Sequence, residues 1–233
     1  DDYAISFVAG DLEITKKALT VTAEDKTKEY GAADPANTVT YAGFISGEDA
    51  TDLGGILSFS RTAGEDVAAY AITPSGLTSG NYAISFAAGE LEITKKALTI
   101  TAEDKTKEFG AADPVYTASY TGFITGEDAT DLGGTLSFNR TAGEVVNTYA
   151  ITPSGLTSAN YAINFVGGEL EITKKVLTVT AENKTKAYGE VDPTNTVTYS
   201  GFASGEDETY LGGTLSFSRT PGEGAGTYAI TPA

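Results

Sequence analysis

Residues 12–22 read LEITKKALTVT, and the run returns at 91–101 as LEITKKALTIT and at 170–180 as LEITKKVLTVT. On both sides of a Lys-Lys pair, apolar residues alternate with Glu and Thr, the period-two pattern of half-buried strands. The recurrence is every 79 residues, and Pro35, Pro114 and Pro193 share the offset, as do Arg61, Arg140 and Arg219. A period this long exceeds the one or two elements of a solenoid unit and suits a small domain with its own core. The chain therefore divides as 1–16, 17–95, 96–174 and 175–233: a terminal hairpin of a preceding module, two full modules, and a third without its final hairpin.

Within one module, LTVTA (19–23) and TVTYAGF (38–44) read as strands, separated by EDKTKEYGAADP (24–35) with its Gly and Asp-Pro turn signals. SGEDATDLGG (46–55) predicts one short helix, with Ser46 as N-cap, Glu48 and Asp49 opposing the helix dipole, and Gly54 as C-cap. ILSFSR (56–61) and AYAIT (69–73) are further strands, the second stopped by Pro74. YAISF (82–86) and LEITK (91–95) predict a hairpin, with Gly89 as the left-handed residue of its connection. The expected fold class is mainly β: small modules in tandem, about six strands and one short helix each. Each module is expected to be an immunoglobulin-like sandwich or a β-grasp-like sheet. No Gly/Ser/Pro linker parts the modules, which predicts stiff coupling; three modules of about 30 Å would make a rod on the order of 100 Å.

Composition removes several function classes. There is no Cys and no His, hence no thiolate chemistry and no imidazole acid–base or metal-binding group. Met is absent too, even at position 1, which points to a processed product or a piece of something longer. The net charge of −17 opposes binding to nucleic acid, and no apolar run is long enough for membrane insertion. No cofactor is expected; the clustered carboxylates, read first as capping and solvated groups, leave calcium as the one candidate to consider. The candidates are Glu24, Asp25, Glu48, Asp49, Glu103, Asp104, Glu127, Asp128, Glu182, Glu206 and Asp207. Tyr210 stands where Asp52 and Asp131 stand, which would break a shared carboxylate cage. With no nucleophile–base pair placed, no catalytic residue and no enzyme activity is expected. Lys26 and Lys28 lie in a polar run, so no Lys sits inside an apolar strand for an isopeptide cross-link. Tyr30 becomes Phe109 and then Tyr188, a hydroxyl lost freely enough to argue for packing instead of recognition.

The runs LTVTAEDKTKEYGAADP (19–35), GTLSFNRTAGE (134–144) and TYAITPSGLTSANYAINFVGGELEI (148–172) make the repeat resemble the MBG repeats of large bacterial surface and adhesin-like proteins. The resemblance covers essentially the whole chain and implies secretion, tandem arrays and a stalk or adhesive role. It brings no catalytic residues. A non-catalytic extracellular stalk or filament is therefore expected, with glycan- or ligand-binding repeats acting by avidity as the alternative. The expected partner is the protein itself, head to tail along a filament or a longer polypeptide, with surface glycans a further candidate. For that assembly, Tyr3, Ile5, Phe7, Leu12 and Ile14 of the hairpin 3–16 are expected to complete module three of the next unit.

Overall fold

The computed structural model describes residues 2–233. The described residues divide into two compact units: 2–98 with Gly122–Gly134 and Leu156–Asn164, and Thr99–Thr121 with Thr135–Gly155 and Phe165–Ala233.

The first unit contains the whole of the first repeat. Its elements are β1 (Lys17–Ala23), β2 (Lys26–Glu29), β3 (Val39–Ala42), a 3₁₀ turn (Ala50–Asp52), β4 (Gly54–Arg61), β5 (Ala69–Thr78), β6 (Tyr82–Ala87) and β7 (Gly89–Thr94). They form two sheets, ordered β3-β1-β6 and β2-β7-β5-β4. Alternation does the sorting. Leu19, Val21 and Ala23 of β1 are buried with the threonines between them half-exposed, and Leu91 and Ile93 of β7 are buried with Glu90 and Glu92 outside. Each fully buried Leu or Ile contributes about 1.5–3 kcal/mol, so this short core rests on a few side chains.

Four expectations need correction. There are seven strands in each of the first two repeats, because KTKE forms a strand at 26–29, β2, and again at 105–108. The predicted helix is a single 3₁₀ turn: Asp49, not Ser46, caps it, Asp52 closes a capping box, and Gly54 begins β4. Strand β5 runs through Pro74, which is fully buried. Its pairing with β7 ends at Ile72↔Gly89, so at Pro74 the strand is bordered only by β4 and no ladder bond is needed on the other side. Finally, 82–95 is not a hairpin. β6 runs parallel to β1 (Lys17↔Tyr82 to Thr22↔Ala87), while β7 inserts between β2 and β5 in the other sheet (Lys26↔Leu91, Tyr70↔Leu91). The chain crosses between sheets at Ala88. Gly89 is not left-handed; it is glycine because a Cβ there would stand 2.6 Å from the carbonyl oxygen of Ala23. Two sheets without an α-helix fit the sandwich alternative and not the β-grasp-like one.

The second repeat has the same order: β8 (Lys96–Ala102), β9 (Lys105–Glu108), β10 (Ala118–Thr121), a 3₁₀ turn (Ala129–Asp131), β11 (Gly133–Arg140), β12 (Asn147–Thr157), β13 (Tyr161–Val166) and β14 (Gly168–Thr173). Its sheets are β10-β8-β13 and β11-β12-β14-β9. In the second unit, Ala102, Tyr149, Ile151, Leu170 and Ile172 form the core, with Phe109, Tyr116 and Phe138 packed on it. The third repeat carries β15 (Thr178–Ala181), β16 (Val197–Ser200), a 3₁₀ turn (Glu208–Tyr210), β17 (Phe217–Arg219) and β18 (Ile230–Pro232), paired only as β15-β16 and β17-β18.

Candidate functional site

The acidic side chains singled out by sequence are spread over separate local tasks. Glu24, Glu103 and Glu182 accept from the hydroxyls of Thr38, Thr117 and Thr196 and from Lys26, Lys105 and Lys184, which holds each carboxyl below its ordinary value. Asp25 and Asp104 accept the Glu90 and Glu169 N–H groups at 2.8 Å. Asp49, Asp128 and Asp207 cap the 3₁₀ turns, and the Thr51, Thr130 and Thr209 hydroxyls lower their pKa. In the third turn Tyr210 replaces the aspartate that closes the capping box, and the box is lost. Glu48 and Glu127 are tyrosine acceptors, and Glu206 is their counterpart in the third repeat. Among the described residues, no three of these groups converge as metal ligands.

Two constellations were missed by sequence reasoning. The first is a charged box. Lys28 sits on β2 with its side chain 4% exposed, 2.6 Å from Asp34 and 2.5 Å from Glu65. Arg61 closes the ring onto the same two carboxylates and lies 5.4 Å over the ring of Tyr70. Burial alone would disfavour the ammonium, but the two carboxylates outweigh it and the Lys28 pKa is raised. Hydrogen bonding from Lys28 lowers Asp34 and Glu65 in turn. The box repeats as Lys107–Asp113–Arg140–Glu144 and Lys186–Asp192–Arg219–Glu223. Lys28 is thus buried beside carboxyl groups after all, contrary to the expectation from its polar neighbours. Its chemistry is nonetheless that of an ion pair. Condensation to an amide needs a neutral amine and a protonated acid, and this arrangement favours the opposite protonation of both. The signal available in the sequence was the K-x-K spacing, which puts Lys26 and Lys28 on one face of an extended segment.

The second is a tyrosine latch. The Tyr82 hydroxyl donates to Glu48 and accepts the Ile45 N–H (3.1 Å), with its ring edge-on to Phe44 at 5.5 Å. Tyr161 repeats this with Glu127, Ile124 and Phe123. Within the first unit a residue of the preceding repeat joins in. Tyr30, 8% exposed, donates to the other oxygen of Glu127 and packs edge-on against Tyr161 at 5.4 Å. The bond to Glu127, with burial, pushes its pKa up to about 12. Asn160 completes the clasp: its Oδ1 accepts the Val67 N–H at 3.0 Å and its Nδ2 donates to Asp66 at 2.8 Å. The hydroxyl of Tyr30 therefore has a structural partner besides the packing expected of it. At the equivalent place in the second unit stands Phe109, which has no hydroxyl and packs against the core of its own repeat.

Tyr3, Ile5, Phe7, Leu12 and Ile14 lie in a stretch, 2–16, without strand or helix, and are 77–93% exposed. Among the described residues no helix is long and apolar enough to cross a membrane.

No protein of curated function matches the chain. The family described as MBG domain (YGX type) matches three stretches, 19–92, 98–171 and 177–233. The first two each span the seven-strand unit from β1 to β7 and from β8 to β14, and the Tyr-Gly pairs at 30–31 and 188–189 fall within the matches. With most of its length covered in three tandem matches, the chain belongs to the MBG domain (YGX type) family.

Proposed function

We propose that the chain is a segment of a non-catalytic, extracellular stalk of a bacterial surface protein, in which the repeats act as spacer. The observation that carries this reading is the junction of the first two repeats. Only Lys95 lies between β7 and β8, the Lys96 N–H is taken up by Asn160, and Tyr30 is clasped by Glu127 and Tyr161. A junction so bonded has few free dihedrals, as a spacer that must hold distance requires. The acidic surface keeps such an array soluble and self-repelling. The adhesive alternative has less support. Tyr41, Phe44 and Tyr82, and likewise Tyr116 and Phe138, are engaged with one another instead of forming a stacking platform for sugars. Small-angle scattering at low concentration tests the spacer reading. A maximum dimension on the order of 100 Å, unchanged by salt, is the expected result. A compact particle or a freely jointed chain would refute it.

A further inference from the structure

The side chains that meet where one repeat joins the next are not the same at the two junctions. At the first, within the first unit, the residues after β2 and in the loop before β5 meet the loop before the second 3₁₀ turn and the turn before β13. Tyr30 donates to Glu127, and Asn160 bridges Asp66 and the Val67 N–H. Lys95 donates to the carbonyl of Ser158 at 2.9 Å. Ile124 lies so close over Gly31 that a Cβ there would stand 2.3 Å from its Cγ2. Polar and apolar contacts thus converge on this junction from several elements, and hydrogen bonds fix angle as well as distance.

The second junction, within the second unit, keeps the loop and changes the side chains. Gly110 has the left-handed backbone of Gly31, with φ 79° against 78°. Phe109 stands for Tyr30, so Glu206, the counterpart of Glu127, has no hydroxyl to accept from it. Val145 stands for Asp66 and brings no carboxylate to a clasp. Ala203 stands for Ile124 and meets Gly110 with its methyl group alone, 2.6 Å from where a Cβ would be. The three changes run in one direction: two directed polar contacts are lost and a wide apolar contact becomes narrow. Apolar contact is non-directional and lets two surfaces tilt on one another. We infer that the first junction is a lock and the second a hinge, and that three positions decide which: Tyr30, Asp66 and Ile124 at the first, Phe109, Val145 and Ala203 at the second. The inference deepens the spacer reading and rests on it: a stalk with one locked and one hinged junction keeps its length while one part tilts against the next.

The test measures distances between paired spin labels in the 233-residue chain. The chain has no Cys, so labels on introduced cysteines are read without background. Thr73→Cys with Ala162→Cys spans the first junction, and Thr152→Cys with Thr198→Cys the second; all four residues are exposed. A narrow distance distribution is expected across the first junction and one about twice as wide across the second. Y30F/D66V/I124A, which installs the second set of side chains at the first junction, should widen the first distribution about twofold. F109Y/A203I, which restores hydroxyl and bulk, should narrow the second. Amide protection at Leu19 and Ile93, buried inside the first repeat, should be unchanged in Y30F/D66V/I124A, which separates a loosened junction from an unfolded repeat. A first distribution that stays narrow in Y30F/D66V/I124A overturns the inference, and so does a second one that F109Y/A203I leaves as wide as before. A first distribution already wide with Tyr30, Asp66 and Ile124 in place overturns the spacer reading as well, whereas failure in the variants alone leaves that reading standing.

Discussion

Gly89→Ala separates a crossing between sheets from a hairpin turn. The new Cβ would lie 2.6 Å from the carbonyl oxygen of Ala23, 3.0 Å from its carbon and 3.1 Å from the carbonyl carbon of Glu24. All three neighbours are backbone, and neither side can give way easily. Ala23 is paired with Val39, the Glu24 N–H is bonded to Thr38, and Gly89 itself is paired with Ile72. Overpacking against fixed neighbours costs about 1–3 kcal/mol, with the upper end expected here. Amide exchange in the 233-residue chain reads the first repeat separately from the others. Protection at Leu19, Val21, Ile72 and Leu91 should fall by about 5- to 150-fold, at roughly 1.4 kcal/mol per tenfold. Gly80→Ala is the control: nothing stands within 4 Å, and the second repeat already has Ala159 there, so the change should stay within about 0.5 kcal/mol. Gly89→Asn decides between the two geometries. Asn tolerates the left-handed region, so in a hairpin turn it would be the milder substitution. At this crossing the added bulk should make it at least as costly as Ala. A neutral Gly89→Ala, or an Asn variant clearly more stable than the Ala variant, would refute the reasoning.

Tyr30→Phe should cost about 0.5–1.5 kcal/mol and couple to Glu127→Gln in a double-mutant cycle, since the hydroxyl donates to that carboxylate; strict additivity would count against the latch. On acidification, Asp34, Asp113, Glu65 and Glu144 all have folded pKa values below their ordinary ones, near 3.8 and 4.5. Their contribution is present above those ordinary values and lost as pH falls through the folded ones, so thermal stability should be flat near neutrality and drop below about pH 4.5. In alkali, Tyr30, Tyr161 and Lys28 have raised values, so stability should fall as pH rises past 10; a curve flat to pH 12 would contradict this. Any bound calcium should be peripheral: chelation should leave the melting transition within about a degree, and unfolding on chelation would show that the carboxylates have a ligand role instead of their hydrogen-bonded ones.

What the sequence made legible follows from period-two patterning. LTVTA and LEIT announce their buried faces through alternation alone, and β1 and β7 lie where the pattern puts them. Alternation says which side chains are inside, not which sheet receives them. Two strands joined by AAG therefore look alike whether they pair with each other or cross between sheets, and β6 and β7 were misread for that reason. Strand β2 was hidden because its inward residue is Lys28. Burial of that residue depends on Asp34 and Glu65, six and 37 residues away, and no local window contains the pair. Pro74 misled in a similar way. A proline stops a strand only where a ladder bond is required, and whether β7 reaches that far along β5 is a tertiary fact.

The third repeat shows which parts of the module depend on which. Its charged box is complete: Lys186 meets Asp192 at 2.6 Å and Glu223 at 2.7 Å, Arg219 closes the ring, and the guanidinium stays 5.3 Å over Tyr228. Asp207 still caps its 3₁₀ turn, and β15 and β16 pair in the register of β1 and β3. None of this requires β6 or β7. What changes is burial: Lys186 is left more exposed, and 184–187 is not a strand. The polar framework is therefore set by the segments from β1 to β5, through contacts 4 to 37 residues apart, while the last two strands close the apolar core. Those two strands are also continuous with the next module, β7 passing into β8 across one residue. The element that completes one module is thus the element that joins it to its neighbour, so loss of the β7 slot should uncouple the modules as well as destabilise one. Leu91→Asp, which places a charge in that slot, should expose the first repeat's amides and release the Tyr30–Glu127 contact together; loss of one without the other would separate the two roles.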